Sequence, residues 1–183
     1  MDKTMHVGLF ITCLVDSFRP IVGFAAIKLL EDAGCQVHVP VAQTCCGLPA
    51  WNSGDRLDTR EAAEEVIQNF EHFDFIITLS KPCTKMLKEN YTEFFQDDPK
   101  WTERAVIFAN KTYEVTSFLE EILNVRNLKN ILDKRADILV GDDMAELLKI
   151  SSQLKRQGIE KEIRHVTEVL AGMTDTPAIG ARR

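Results

Sequence analysis

The chain has five cysteines and no Cys-x-x-Cys among them. That excludes a thioredoxin-like redox motif and the close ligand pairs from which most zinc knuckles are built. No apolar run reaches the roughly 18 residues that a membrane span needs. The first apolar stretch, Val7 to Thr12, is short and has no small-residue cleavage site after it. It therefore reads as a strand rather than a signal peptide. There is no basic stripe with interleaved aromatics, the net charge is −6, and the Arg182-Arg183 end is too short to count. This argues against a general nucleic-acid binder. No internal repeat and no low-complexity segment are visible. A composition of 45% hydrophobic and 27% charged residues is not that of a disordered or fibrous chain. With 183 residues there is room for one domain with a real core, or at most two small ones. These absences and an odd cysteine count place the protein in the cytosol, where structural disulfides are disfavoured.

What is present is a rhythm of strands and helices. Val7–Thr12 is a β-branched and aromatic run, followed directly by Cys13. Pro20 opens a helix whose stripe of Ile21, Val22, Ala25, Ala26, Leu29, Leu30 and Ala33 ends at Gly34. Gln36–Val39 is a second strand, residues 59–70 a second helix and Phe75–Leu79 a third strand, with a further helix from Thr84. Beyond Tyr91 the expectation is a helix capped and opened by Asp97-Asp98-Pro99-Lys100-Trp101 and running to Asn110, then another over 115–123. A polar stretch covers 124–134, a strand 136–141, a helix 145–154 and a short strand 163–166. A last helical turn over 166–170 and a loose end complete the chain. Strand–helix–strand order of this kind predicts an α/β fold with a parallel sheet and right-handed crossovers.

In such a sheet the loops at the carboxyl ends of the strands share one edge, where α/β proteins bind ligands. Cys13 follows the first strand, Cys45-Cys46 the second and Cys83 the third, with 31 and 36 residues between them. The topology alone brings these four thiols together. Cys35 sits at the opposite end of its strand and reads as a small buried hydrophobe. Four cytosolic thiols could bind zinc, hold an iron–sulfur cluster or act as a redox switch. Adjacent thiolates diverge and bridge two metal atoms more naturally than they chelate one, which favours a polynuclear cluster, with zinc as the fallback. A metal-free thiol enzyme with Cys45 as its reactive group ranks last, because no histidine is placed by sequence to act as its base. The four histidines read as surface or structural residues, and Trp51, beside the cysteine loop, as a shield or partner contact.

The Cys13…Cys45-Cys46-Gly47…Cys83 pattern resembles the cysteine-rich CCG-domain family, the type found in the B subunit of heterodisulfide reductase and the iron–sulfur subunit of glycolate oxidase. Within that family the likeness is to the lactate-utilization branch. It is carried by Phe10-Ile11-Thr12-Cys13-Leu14-Val15-Asp16 and by Cys45-Cys46-Gly47-Leu48-Pro49-Ala50-Trp51-Asn52-Ser53-Gly54. Phe95-Gln96-Asp97-Asp98-Pro99-Lys100-Trp101 and Lys111-Thr112-Tyr113-Glu114-Val115-Thr116 extend it over roughly the first 125 residues. The resemblance implies a Rossmann-like CCG domain over 1–125, the remnant of a second repeat packed on it over 126–171, and a tail over 172–183. It implies an iron–sulfur electron-transfer subunit of a cytosolic system oxidising L-lactate to pyruvate, acting with the other subunits of that complex. Cys13, Cys45, Cys46 and Cys83 would hold a cluster of the 4Fe–4S type, with zinc the alternative. In the family a fifth cysteine can open a closing Cys-x-x-Cys; that position here is Ser80, a weaker oxygen donor. The second Cys-Cys-Gly is missing, and Asp142-Asp143-Met144 stands where the family has cysteines. The alternative is therefore a zinc-binding or metal-free assembly module of the same fold, and the unfilled place of the missing repeat predicts a partner or a homodimer.

Overall fold

The computed structural model describes residues 4–126, 128–135 and 137–181. Met1, Asp2, Lys3, Arg182 and Arg183 lie outside the described residues, as does Ala136, the expected start of the 136–141 strand. The first sheet has four parallel strands in the order β2-β1-β3-β4: β1 His6–Phe10, β2 Gln36–His38, β3 Phe75–Thr78 and β4 Thr112–Glu114. Strand β1 is central, pairing Val7 with Val37 on one side and with Phe75 on the other. The chain thus moves outward from β1 to β2 and then crosses to the far side of β1 to form β3. That reversal opens a crevice at the carboxyl ends of β1 and β3, the switch point of a doubly wound fold.

Side chains alternate across the sheet, and each face buries its own core. Val7, Leu9, Ile77 and Leu79 meet α2 (Ile21–Asp32) and α8 (Val115–Glu121), through Val22, Ala26, Leu30, Phe118 and Leu119. Phe10 and Ile76 face α4 (Arg56–Phe70) and α7 (Thr102–Asn110), where Ile67, Phe70, Tyr91, Phe95, Trp101 and Phe108 are all fully or almost fully buried. Gly8 is required by packing, since a Cβ there would lie 2.3 Å from the Phe73 ring.

Several elements differ from expectation for local reasons. The residues after β1 and after the Cys45-Cys46 loop form short helices, α1 (Cys13–Phe18) and α3 (Leu48–Ser53). From Lys81 the chain is helical throughout: α5 (Lys81–Lys85), a π-helical segment (Met86–Asn90) and α6 (Tyr91–Phe94). Helix α7 opens at Thr102 rather than in the Asp97–Trp101 segment. Asp98 organises the preceding turn instead, its carboxylate accepting from Lys100 N at 3.0 Å and its carbonyl from Thr102 N at 2.9 Å. The polar stretch after 124 includes α9 (Leu128–Asp133).

A second, two-stranded parallel sheet joins β5 (Leu139–Gly141) to β6 (Ile163–His165), with α10 (Met144–Arg156) between them and α11 (Val166–Leu170) after them. This unit repeats the design of β3, β4 and α8. Thr78 pairs with Glu114 as Gly141 pairs with His165, and a helix starts on the very next residue, Val115 or Val166. Glu114 and His165 each cap that helix with a side chain. The two units share one core: Met144, Leu147 and Ile163 pack with Val22, Leu30 and Phe118. Arg19 joins them with a bidentate pair to the buried Glu168, and Arg164 reaches Glu168 from the other side. The expected loose tail is tied down at Ile179, which is buried and donates its N–H to Ile163 O at 2.9 Å.

Candidate metal centre

The structure brings Cys13, Cys45, Cys46 and Cys83 to the carboxyl edge of the first sheet as two pairs. Cys13 Sγ lies 4.0 Å from Cys45 Sγ, and Cys46 Sγ lies 3.3 Å from Cys83 Sγ. The first pair is the outer one, with Cys13 exposed and Cys45 half-buried, whereas Cys46 is only 3% exposed. Cys35 is buried in the core beneath α2 and belongs to neither pair.

Each part of the Cys45-Cys46-Gly47 loop is anchored. The side chain of Gln43 acts as a short false strand beside β1, accepting from Ile11 N at 2.8 Å and donating to Leu9 O at 3.2 Å. Tyr91, fully buried, donates its hydroxyl to Cys46 O at 2.9 Å. Gly47 takes φ +80 with its Cα facing α4, where a Cβ would come within 3.1 Å of Ala62. Only glycine adopts that left-handed turn at such close approach without strain. Gln43 and Tyr91 carry no motif signal of their own; their role appears only when the loop is seen against β1 and the helix at 91.

Burial and mutual contact push three of the four thiols upward. Cys13 is raised by the partial burial of its sulfur and then by the neighbouring Cys45. Cys45 is pushed far up, first by its hydrogen bond with Cys46 and then by burial. Cys46 gains thiolate character from Cys45, but its bond to Cys83, its burial and the Cys83 charge outweigh this and push it up to about 12. Cys83 alone is lowered, by the hydrogen bond from Cys46. A metal binding here would displace these protons, so occupancy would rise with pH.

Ser80, buried three residues before Cys83, has a hydroxyl that helps to lower that thiol. It does not point into solvent: its hydroxyl donates to Asp143 Oδ2 at 2.8 Å, across the seam with the second unit. Lys81 pairs with Asp142 at 2.7 Å, and His165 Nε2 lies 3.2 Å from both Leu79 O and Asp142 O. With two carbonyl acceptors on Nε2, His165 is the neutral Nε2–H tautomer, and burial lowers its pKa. Glu114, buried at the end of β4, caps α8 through Oε2, and burial raises its pKa. Its Oε1 has no hydrogen-bond partner among the described residues.

Outside the thiols, Cys45 borders a groove whose α4 wall carries Asp58, Glu61 and Glu65, with Asp55 at its end. On the other side Cys13 and Cys45 border a second depression with Val39, Pro40 and the fully exposed Val41. Trp51 packs edge-on against Phe94, with ring centroids 6.2 Å apart.

Whether these residues suit a metal group can be judged from the sulfurs. Two thiolates on one tetrahedral metal atom with bonds of about 2.3 Å stand about 3.8 Å apart. The 4.0 Å pair is close to that spacing and the 3.3 Å pair is tighter than it. Among the described residues no three His, Cys, Asp or Glu side chains are grouped as the ligand set of one ion. The arrangement is that of two chelating pairs side by side, and it fits a group with more than one metal atom.

A parallel 2-1-3-4 sheet carrying paired thiols at its switch point defines a cysteine-rich domain, and a family model described as "CCG: Cysteine-rich domain" matches residues 7–88. The chain belongs to this family. Its relatives include proteins named lactate utilization protein A. The one from Bacillus velezensis (strain DSM 23117 / BGSC 10A6 / LMG 26770 / FZB42) is 41% identical over 162 residues, covering 88% of this chain and 66% of the relative. That from Bacillus subtilis (strain 168) is 41% identical over 149 residues, 81% of this chain and 62% of the relative. That from Macrococcus caseolyticus (strain JCSC5402) is 45% identical over 144 residues, 79% of this chain and 58% of the relative. The chain thus spans less than two thirds of the length of these relatives. No solved structure matches it. Among the described residues no helix is long and apolar enough to cross a membrane.

Proposed function

We propose that this chain is an iron–sulfur electron-transfer component of a cytosolic lactate-utilization system, working with partner subunits. The observation that carries this reading is the gathering of four thiols at the switch point as two close pairs, 4.0 and 3.3 Å apart. Cys13, Cys45, Cys46 and Cys83 would hold the cluster as thiolates, with Ser80 Oγ as a fifth, oxygen donor. When bound, such a cluster supplies one-electron redox chemistry at a potential set by its surroundings. The protein's own contribution is to fix the donors, through Gln43, Tyr91 and Gly47, and to grade their exposure. Cys46 and Cys83 are shielded by the second core, while Cys13 stands at the surface, where a partner's redox group can come close without any opening of the fold.

The acidic groove beside Cys45 supports a relay role over direct substrate binding. Asp55, Asp58, Glu61 and Glu65 would repel a 2-hydroxycarboxylate such as lactate, so the substrate is best bound on another subunit. Lactate enters this reading through the names of the relatives, and five unpaired cysteines suit a reducing compartment.

The test is iron, acid-labile sulfide and a visible spectrum on anaerobically purified protein and on Cys45→Ser. Near-equal iron and sulfide, lost in the variant, is the expected result. Zinc alone would recast the site as structural, and no metal in either protein would leave only the fold.

A further inference from the structure

The two thiol pairs are not alike. The outer pair, Cys13 and Cys45 at 4.0 Å, stands close to the spacing of about 3.8 Å that two thiolates take on one metal atom. The inner pair, Cys46 and Cys83 at 3.3 Å, is drawn in past it. Disulfide sulfurs lie about 2.05 Å apart, so the inner pair has about 1.3 Å to close and the outer pair about 2 Å. The remaining neighbours, Cys45 and Cys46, are adjacent in the chain and could bridge only with strain.

Both inner cysteines are anchored. Cys46 O accepts from the buried Tyr91 hydroxyl at 2.9 Å. Cys83 lies in the first turn of α5, and the next residue, Thr84, donates its N–H and its hydroxyl to Ser80 O at 2.9 and 2.8 Å. Their access differs: Cys46 is 3% exposed, whereas Cys83 is only half-buried. A small oxidant therefore reaches Cys83 first, and Cys46 waits beside it to resolve the product.

We propose that Cys46 and Cys83 join as a reversible disulfide when the metal-free chain meets a peroxide, and that this bridge shuts the metal centre to loading. The Cys83 sulfur attacks one oxygen of hydrogen peroxide, the O–O bond breaks, and a sulfenic acid and one water form. The Cys46 sulfur then attacks the Cys83 sulfur, the S–O bond breaks, and a second water leaves. Two thiols have given up two electrons and two protons, and one peroxide has become two waters. The bridge withdraws two of the four thiolates until an external reductant reopens it by attack on the half-buried Cys83 sulfur. The bond stands on the geometry of the pair; its effect on loading rests on the iron–sulfur reading above and deepens it.

The experiment uses the full chain, freed of metal by a chelator under nitrogen. A Cys35→Ala background removes the one thiol outside the site. The chain is treated with one equivalent of hydrogen peroxide, digested with trypsin without reductant, and read by mass spectrometry beside a count of free thiols. Loading is probed with cobalt(II), which does not reduce disulfides, through its thiolate absorption. The expected result is one bridge within the chain, with two thiols left free. It persists in Cys13→Ser and in Cys45→Ser, where Cys46 is the only thiol left in its tryptic peptide, and it is lost in Cys83→Ser. The bridged chain should lose the cobalt–thiolate absorption and regain it after reduction and desalting. The proposal would be overturned by a bridge through Cys13, between Cys45 and Cys46 or between two chains, by oxidation that leaves no bridge, or by equal cobalt binding in bridged and reduced chain. If the bridge forms and shuts out cobalt but the reduced chain, loaded anaerobically, holds no iron and sulfide, the iron–sulfur reading falls alone and the switch stands.

Discussion

Truncating Glu168 to Ala tests whether the two units are one cooperative structure. Its carboxylate is fully buried and accepts from Arg19 Nη2 at 2.6 Å and Nε at 3.2 Å, from Arg164 Nη1 at 3.4 Å and from His165 N at 3.1 Å. Breaking a buried ion pair by removing one partner costs about 3–5 kcal/mol, because the other charge stays buried without compensation. Arg164, 5% exposed, is partly compensated by Glu162 and by Thr174 O, both at 2.8 Å, and Arg19, 12% exposed, is near enough to the surface to regain some water. Those two facts pull the estimate to the low end, and the orphaned His165 N–H adds about 1 kcal/mol. The working figure is about 4 kcal/mol, a large share of the 5–15 kcal/mol that typically holds a domain together. The assay is urea unfolding followed by far-UV circular dichroism and by tryptophan fluorescence, since Trp101 is buried on the far face of the first sheet. At a slope of about 2 kcal/mol per molar urea the midpoint should fall by about 2 M, with both probes moving together. A loss under about 1 kcal/mol, or a dichroism change well ahead of the fluorescence change, would refute the reasoning.

Three further outcomes follow from the structure. Gly8→Ala should cost about 1–3 kcal/mol from overpacking against Phe73 and Phe70, read as a lower thermal midpoint; an unchanged midpoint would mean that the Phe73 ring moves aside freely. Burial holds His165 below its ordinary 6.5, so the folded chain stays neutral there while the unfolded chain takes up a proton, and stability is lost as pH falls through about 6.5. His165→Asn, which keeps a capping oxygen, lacks that loss, so its stability deficit in urea melts should narrow between pH 7.5 and pH 5; a constant deficit would contradict it. Cys35→Ala should leave metal content unchanged while Cys46→Ala lowers it, as measured by elemental analysis, because only Cys46 has a thiol partner within 3.3 Å.

How far the sequence could be read depended on how local each signal was. Strands β1 and β3 and helices α2 and α4 are apolar runs and stripes with clear ends, and the order of strands was enough to bring four thiols to one edge. Strand β4 escaped because it is three residues long, polar in composition, and wedged between α7 and α8 with no turn to announce it. Helices α1 and α3 are single short turns that loop connections shape as much as their own residues do. The likeness of the two units rested on the family resemblance and not on internal sequence identity, because little beyond a shared Val-Thr survives after β4 and β6, while pairing register and helix start are kept. Ser80 and Asp143 each stand where the family pattern has a cysteine, but they are 63 residues apart, and only the folded seam makes them a pair.

The shared core also has a consequence during synthesis. Val22, Leu30, Phe118 and Leu119 are complete on the chain long before Met144, Leu147, Ile163 and Ile179 emerge to cover them. From Leu128 to Ile179 roughly 50 residues have to be added, about 3–10 s at 5–20 residues per second. For that interval the nascent protein carries an apolar face it cannot bury, and a two-stranded sheet cannot form a stable cover on its own. That face stays open until β6 and the segment through Ile179 close over it.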